Sequence, residues 1–428
     1  MNENIEPPAQ GLPKSEANSE TFREWALGGL RGAKLPWGGC NVNFLIGSYD
    51  IDKTPFEIFS DDACDLLSKI ESTIRKDREA RLYPDVISVG YWCRKANIQK
   101  KKEEFSNGAL RIGRGLAFHI TPGNIPVNFF FSFLFALLAG NANIVRVPSK
   151  DFPQIRILLR ILKECLAEFP EIEKRVAFVK YDRSDEITGE FSKIADVRVI
   201  WGGDRTVASV REMPSKPRCI DIAFADRFSV AVIDSKSVLS SEPNVIERLV
   251  TGFYNDTYLM DQNACSSPRL VFWIGDCKEG IEKFWNALFE KAKKSYRLEP
   301  SVAVDKYTRL CQDLMDRDDI AKQKSFGNLL NIISLKEVPV NTKSCEGFGG
   351  YFYEARISDL EEISKVADER LQTITYFGIN PQEIAQQLIK NNVLGCDRIV
   401  PIGQAMDIDI MWDGFDLIRT MSREIDIR

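Results

Sequence analysis

Gly115-Leu116-Ala117-Phe118-His119-Ile120-Thr121-Pro122-Gly123-Asn124-Ile125-Pro126, then an apolar run at 127–139, Gly140 and Ile144-Val145-Arg146-Val147: this stretch decides the fold. Residues 116–120 read as a short apolar strand, and Thr121-Pro122-Gly123-Asn124 as a turn. Pro126 stands where a helix tolerates proline, in its first turn, because the missing N–H has no intrahelical partner there. The run 127–139 is apolar all round, the pattern of a helix buried on every side. Gly140 is placed to stop it. Strand, turn, buried helix and strand within one βαβ length predict a parallel sheet.

Working outward, the alternation continues. Helical periodicity covers 155–169, 185–194 and a helix beginning at 206–212, and strands are expected at 176–179, 197–201 and 228–233. We assign residues 111–235 to a doubly wound, Rossmann-like α/β unit. Upstream, 1–20 reads as a flexible tail and Trp37-Gly38-Gly39 as a turn. Residues 21–110 form a helical packing region with a strand at 43–46 and an amphipathic helix at 56–75. Downstream, 236–398 is a second α/β domain. It has helices at 245–254, 280–294, 302–316, 360–370 and 381–390, and strands at 270–273, 329–335 and 351–355. Residues 399–428 form a C-terminal segment.

Composition limits the function. A chain of 428 residues with 44% hydrophobic and 28% charged residues is an ordinary globular protein with enough material for two or three domains. A net charge of -5 argues against general nucleic-acid binding, which needs a basic face. Ten cysteines without a CxxC pair, and one histidine, leave no metal-ligand spacing and fit a reducing, cytoplasmic setting. No apolar signal region is visible in 1–18, and the 127–139 run is too short to span a bilayer.

Asp261-Gln262-Asn263-Ala264-Cys265-Ser266-Ser267-Pro268 places a cysteine in a polar loop between a helix and a strand, a poor position for core filler. Small neighbours allow close approach, so Cys265 is a candidate nucleophile. Asn124, at a strand's carboxyl end, is a candidate oxyanion donor, and its plainer role is to shape the turn before Pro126. His119 is either a partner for Cys265 or a satisfied structural residue, the commoner case. A thiolate activated by a nearby cationic nicotinamide and backbone N–H groups needs no histidine. The GxGxxG dinucleotide fingerprint is absent. Gly202-Gly203, at a strand end before a helix, offers a phosphate position or a simple turn. Arg146 and Lys150 lie where a doubly wound sheet binds ligands, and an arginine fork suits a 2'-phosphate; two solvated cations are the bland alternative. Phe129, Phe130, Phe131 and Phe133 suggest an acyl tunnel, but at helical spacing they favour core.

These stretches occur in an order that resembles the LuxC-type acyl-CoA reductases, a branch of the aldehyde dehydrogenase superfamily. The resemblance rests on residues 115–126, Ala139-Gly140-Asn141-Ala142-Asn143-Ile144-Val145-Arg146 and the 261–268 loop. It is joined by Trp92-Cys93-Arg94-Lys95-Ala96-Asn97 and Trp412-Asp413-Gly414, and it runs from about residue 40 to the end. It implies an aldehyde-dehydrogenase-like α/β fold with a Rossmann-like cofactor domain, an α/β catalytic domain and a small oligomerisation element. Cys265 then matches the thioester-forming nucleophile and Asn124 the oxyanion asparagine. Arg146, Ser149, Gly202 and Gly203 become the cofactor-binding residues. One departure stands out: the water-activating glutamate motif of hydrolytic members is replaced by Ile220-Asp221-Ile222-Ala223-Phe224, where Asp221 is a short substitute.

The resemblance implies NADPH-dependent reduction of an acyl thioester to the aldehyde through an acyl-cysteine. The donor is acyl-CoA or an acyl-protein, with an acyl-protein synthetase as partner and a homo-oligomer as the expected assembly. Two alternatives stay open: NAD(P)-dependent oxidation of an aldehyde to acid or acyl-CoA, and a non-catalytic acyl-carrying subunit.

Overall fold

The computed structural model describes residues 42–105, 109–123, 125–339, 342 and 345–428. The tail 1–20, the Trp37-Gly38-Gly39 turn and Asn124 lie outside the described residues. The polypeptide builds two mixed, mostly parallel sheets in an aldehyde-dehydrogenase-like arrangement.

The first sheet has six strands in the order Asn43–Ile46, Val176–Lys180, Ala142–Arg146, Leu116–Ile120, Val197–Trp201 and Ile220–Phe224. Only the Asn43–Ile46 edge strand is antiparallel. Successive side chains go to opposite faces. Leu116, Phe118 and Ile120 pack with Ile187, Phe191 and Val207 of one helical layer, whereas Ala117 packs with the other layer. That other layer centres on Asn128–Leu138, whose residues from Phe129 to Leu138 are all buried. It is flanked by Asp61–Lys76 and Pro153–Leu166. A helix with no polar face has no stable place except between such layers. Phe129, Phe130 and Phe133 are core, as their spacing favours.

The second sheet has seven strands in the order Ile320–Phe326, Leu330–Leu335, Tyr351–Ile357, Pro268–Ile274, Phe228–Asp234, Leu371–Phe377 and Arg398–Pro401. Ile320–Phe326 and Leu330–Leu335 form an antiparallel hairpin, and the other pairings are parallel. Helices Pro243–Thr257 and Lys278–Ser295 cover one face around Phe253, Phe284 and Trp285.

Three expectations are corrected. Phe228–Asp234, expected within the 111–235 unit, pairs with Pro268–Ile274 and Leu371–Phe377 in the second sheet. A buried parallel strand reads alike in either sheet, and only pairing separates them. The 360–370 helix is a 3-10 turn at Leu360–Lys365, followed by the unanticipated strand Leu371–Phe377. The 56–75 helix begins at Asp61, where Ser60 Oγ accepts from Ala63 N–H at 3.4 Å.

The C-terminal segment crosses back onto the first layer. Ser422–Glu424 pairs with Arg111–Gly113, and buried Asn141 donates through Nδ2 to Met421 O at 2.9 Å. Among the described residues no helix is long and apolar enough to cross a membrane.

Candidate active site

Cys265 lies in the turn between the 3-10 turn Tyr258–Met260, which prolongs helix Pro243–Thr257, and strand Pro268–Ile274. Asp261 and Gln262 both take left-handed backbone, at φ 50° and 56°. Two adjacent non-glycine residues there are strained and persist only when their surroundings hold them. Buried Gln262 accepts from Gly350 N–H at 2.7 Å and Tyr351 N–H at 3.1 Å. Its Nε2 donates to Pro268 O at 3.2 Å and Tyr351 O at 3.3 Å. Ser229 Oγ donates to Cys265 O at 2.7 Å, and Ser267 Oγ to Asp256 O at 2.7 Å. The loop therefore presents its cysteine from a rigid frame, as a reacting group requires.

Cys265 lies where two cavities meet, and Ile125, Asn128 and Trp201 share the boundary. The first cavity, of about 710 Å³, opens at the carboxyl ends of first-sheet strands, where Ile120, Arg146, Trp201 and Phe224 line it. This is the ligand position of a doubly wound sheet. The second, of about 600 Å³, is walled by Trp92, Phe131, Leu259, Met406, Ile408 and Trp412. Its apolar walls suit a hydrocarbon group.

Sγ accepts from Gln372 Nε2 at 3.2 Å, and the same nitrogen donates to Asp413 Oδ1. Burial pushes the Cys265 thiol up to about 11. The Asp413 carboxylate adds to that, whereas the Gln372 amide and the backbone N–H groups of Ser266 and Cys265 oppose it. Burial also raises Asp413, to about 6.

The first cavity carries groups suited to a nicotinamide dinucleotide. Arg146 lines it with its guanidinium stacked 4.6 Å from the Tyr181 ring, and its Nε is buried without a partner among the described residues. Arg269, which also lines it, has an Nε in the same state. Buried guanidinium groups left short of partners suit the phosphates of a dinucleotide. Gly202 and Gly203 line the cavity too, and a Cβ at Gly203 would come 2.9 Å from the Asp226 carboxylate. That carboxylate accepts from Asp204 N–H at 3.3 Å, so the helix N-terminus after Gly203 already faces an anion. The residues fit a dinucleotide: Arg146 and Arg269 would hold its phosphates, and the helix end after Gly203 would not. Ser149 is exposed and does not line the cavity, and Lys150 rests over the Phe152 ring at 4.8 Å.

His119 is a satisfied core residue. Nδ1 pairs with Ser132 Oγ at 2.7 Å, Nε2 pairs with Asn143 Oδ1 at 3.0 Å, and burial lowers the ring to about 4. Ser132 Oγ also accepts from Trp201 Nε1 at 3.1 Å, so His119 braces the cavity wall from behind. Asp221 is no substitute base. Both its oxygens accept from buried Arg198, each at 2.7 Å, and it lines neither cavity. The sequence did not single out Gln372, which stands on the unanticipated strand just after the expected 360–370 helix. It noted Asp413 only as part of Trp412-Asp413-Gly414. The one local signal was a glutamine beginning an otherwise β-branched and aromatic run.

The two sheets and a cysteine on the loop between helix and strand define an aldehyde-dehydrogenase-like protein. Among solved structures, aldehyde dehydrogenase 21 from Physcomitrella patens superposes with a TM-score of 0.60 at 13% identity, covering 86% of each chain. A 1-pyrroline-5-carboxylate dehydrogenase from Thermus, with bound NAD, gives 0.60 at 12% identity, covering 85% of this chain and 80% of its own. Residues 96–424 match the family model for acyl-CoA reductase (LuxC), and the chain belongs to that family. A long-chain acyl-protein thioester reductase from Aliivibrio fischeri is 23% identical over 273 residues, 62% of this chain and 53% of that protein. One from Photobacterium phosphoreum is 25% identical over 298 residues, 68% of this chain and 57% of its own. The chain thus spans little more than half the length of these relatives.

Proposed function

We propose that the chain reduces an acyl thioester to the aldehyde, with the acyl group carried on Cys265 between two half-reactions. The observation behind this reading is the position of Cys265 at the junction of an arginine-lined cavity and an apolar-walled one. We assign NADPH to the first and the acyl group to the second. The Cys265 sulfur attacks the thioester carbonyl, and the bond to the donor sulfur breaks. Asn124 and the Cys265 backbone N–H are assigned to the oxyanion, such donors being worth about 3–4 kcal/mol of transition-state stabilisation each. When bound, the nicotinamide supplies hydride to the acyl carbon. The carbon–sulfur bond to Cys265 then breaks, releasing aldehyde and restoring the thiolate.

The donor class is acyl-CoA or an acyl-protein, in keeping with the relatives' names, with an acyl-protein synthetase as partner. A homo-oligomer in the cytoplasm completes the reading. Oxidation to free acid is less favoured, because Asp221 is committed to Arg198 and lies outside both cavities. The test uses acyl-CoA thioesters of graded chain length. Intact mass should show an acyl adduct on Cys265 without NADPH, and aldehyde should appear when NADPH is added. Absence of both, with acyl-CoA and with an acylated partner protein, overturns the assignment.

Arg146 carries the cofactor preference in this reading. Arg146→Gln is expected to raise the KM for NADPH about tenfold or more, the loss of one charge-assisted hydrogen bond, and to leave the KM for NADH nearly unchanged. Steady-state kinetics with both cofactors checks it. An equal change for the two would remove Arg146 from 2'-phosphate recognition.

A further inference from the structure

Gln372 is a fully buried amide at the start of strand Leu371–Phe377, and nothing about packing requires it. Its nitrogen is spent on Cys265 Sγ and Asp413 Oδ1, and its Oε1 has no partner among the described residues. A buried acceptor left unmatched is destabilising, so it marks a site built for something other than stability. Asp413 is held with equal care. It is 7% exposed and takes left-handed backbone at φ 48° in the turn between Met411–Trp412 and Phe415–Asp416. Arg227 and Arg398 are the cations near it, with Asp397 a further anion. Arg227 is paired with Asp397, and Arg398 donates to the carbonyls of Gln404, Ala405 and Asp407. Among the described residues, Asp413 and Arg269 are charged groups that act on Cys265, the latter facing Glu346. With His119 committed to Ser132 and Asn143, no imidazole serves the thiol.

We propose that Gln372 and Asp413 govern the proton on Cys265: Gln372 positions the sulfur through its amide N–H, and Asp413 takes up the thiol proton during attack and passes it to the departing donor sulfur. This rests on the acyl-thioester reading above. Asp413 and Sγ contact the same Gln372 nitrogen and line the same cavity, near enough for one water molecule to link them. The S–H bond of Cys265 breaks, and its electron pair forms the bond to the acyl carbon. The thioester C–S bond breaks with its pair on the donor sulfur. The proton held by Asp413 then completes the donor thiol. Nothing is oxidised or reduced in this step.

The test measures two rates on the full chain: alkylation of Cys265 by iodoacetamide across a pH series, which needs no substrate, and acylation of Cys265 by an acyl-CoA. Asp413→Asn removes an anion that raises the thiol, so alkylation at pH 7.5 should quicken about tenfold as the thiolate fraction rises. Acylation by the same variant should slow, because the proton acceptor is gone. Gln372→Met should slow both. Misfolding or loosened packing does not produce opposite signs in one variant. If Asp413→Asn lowers both rates or changes neither, the proton role of Asp413 is overturned. If Gln372→Met leaves alkylation unchanged, the positioning role is overturned. If the unaltered protein is alkylated but never acylated, the acyl-thioester reading fails, while the alkylation series still decides what Gln372 and Asp413 do to the sulfur.

Discussion

Cys265→Ala protein, given acyl-CoA or an acylated partner protein and NADPH, is expected to form no aldehyde above background, a fall of roughly 10⁴-fold or more. Effects of that size follow removal of a covalent nucleophile, because the remaining binding groups cannot replace the bond it makes. Cys265 is the described cysteine that meets both cavities, so no neighbouring thiol takes over. The loop should keep its shape without the sulfur. Gln262, Ser229 and Ser267 hold its backbone, to which Cys265 contributes a carbonyl that alanine retains, and the substitution removes only the Sγ contact with Gln372. Cofactor binding, followed by quenching of tryptophan fluorescence or by calorimetry, should therefore survive. Retained aldehyde formation in this variant would remove the acyl-cysteine from the scheme. Loss of activity together with loss of cofactor binding would point instead to collapse of the junction.

Asp221→Ala is expected to destabilise the fold by about 3 kcal/mol and to leave the ratio of aldehyde to acid in the product unchanged. Arg198 has a side chain only 4% exposed, and its carboxylate partner is 19% exposed. Truncating the acid leaves a buried guanidinium whose other partners are the carbonyls of Val210 and Met213. Breaking a buried pair from one side costs about 3–5 kcal/mol. The lower end applies because Asp221 retains some solvent. Denaturant unfolding measures the loss. The double variant Arg198→Met, Asp221→Leu should recover most of it, since a buried ion pair exchanged for apolar side chains is often neutral. A single Asp221→Ala variant with full stability and a raised aldehyde yield would restore Asp221 as a water-activating base.

Much of the architecture is legible in the amino-acid sequence. The all-apolar run leading to Gly140 demanded a helix between two layers, and Asn128–Leu138 lies there. The exposed edge of the second sheet was less legible. Ile320–Phe326 is half polar, as an edge strand with one open side can be, and it carries no alternation. Leu371–Phe377 was hidden too. Buried along most of its length, it mixes Gln372, Thr373 and Thr375 with apolar residues, so neither an apolar run nor a clean alternation marks it. Gln372 went with it, and so did half of the surroundings of Cys265.

Local chemistry alone singled out Cys265 as the candidate nucleophile and put Arg146 at a sheet end. A cysteine among small polar residues, and an arginine closing a parallel strand, are readable wherever they occur. Only the tertiary structure decided what meets them. Gln372 lies 107 residues from Cys265, and Gln372 is 41 residues from Asp413. Those contacts depend on the order of strands in the second sheet and on the C-terminal segment crossing back to the first layer. Arg198 likewise claimed Asp221 through the pairing of Val197–Trp201 with Ile220–Phe224. Residue types and spacing fix what a side chain can do. Strand pairing, which has no local signature, decides which of those capacities face one another.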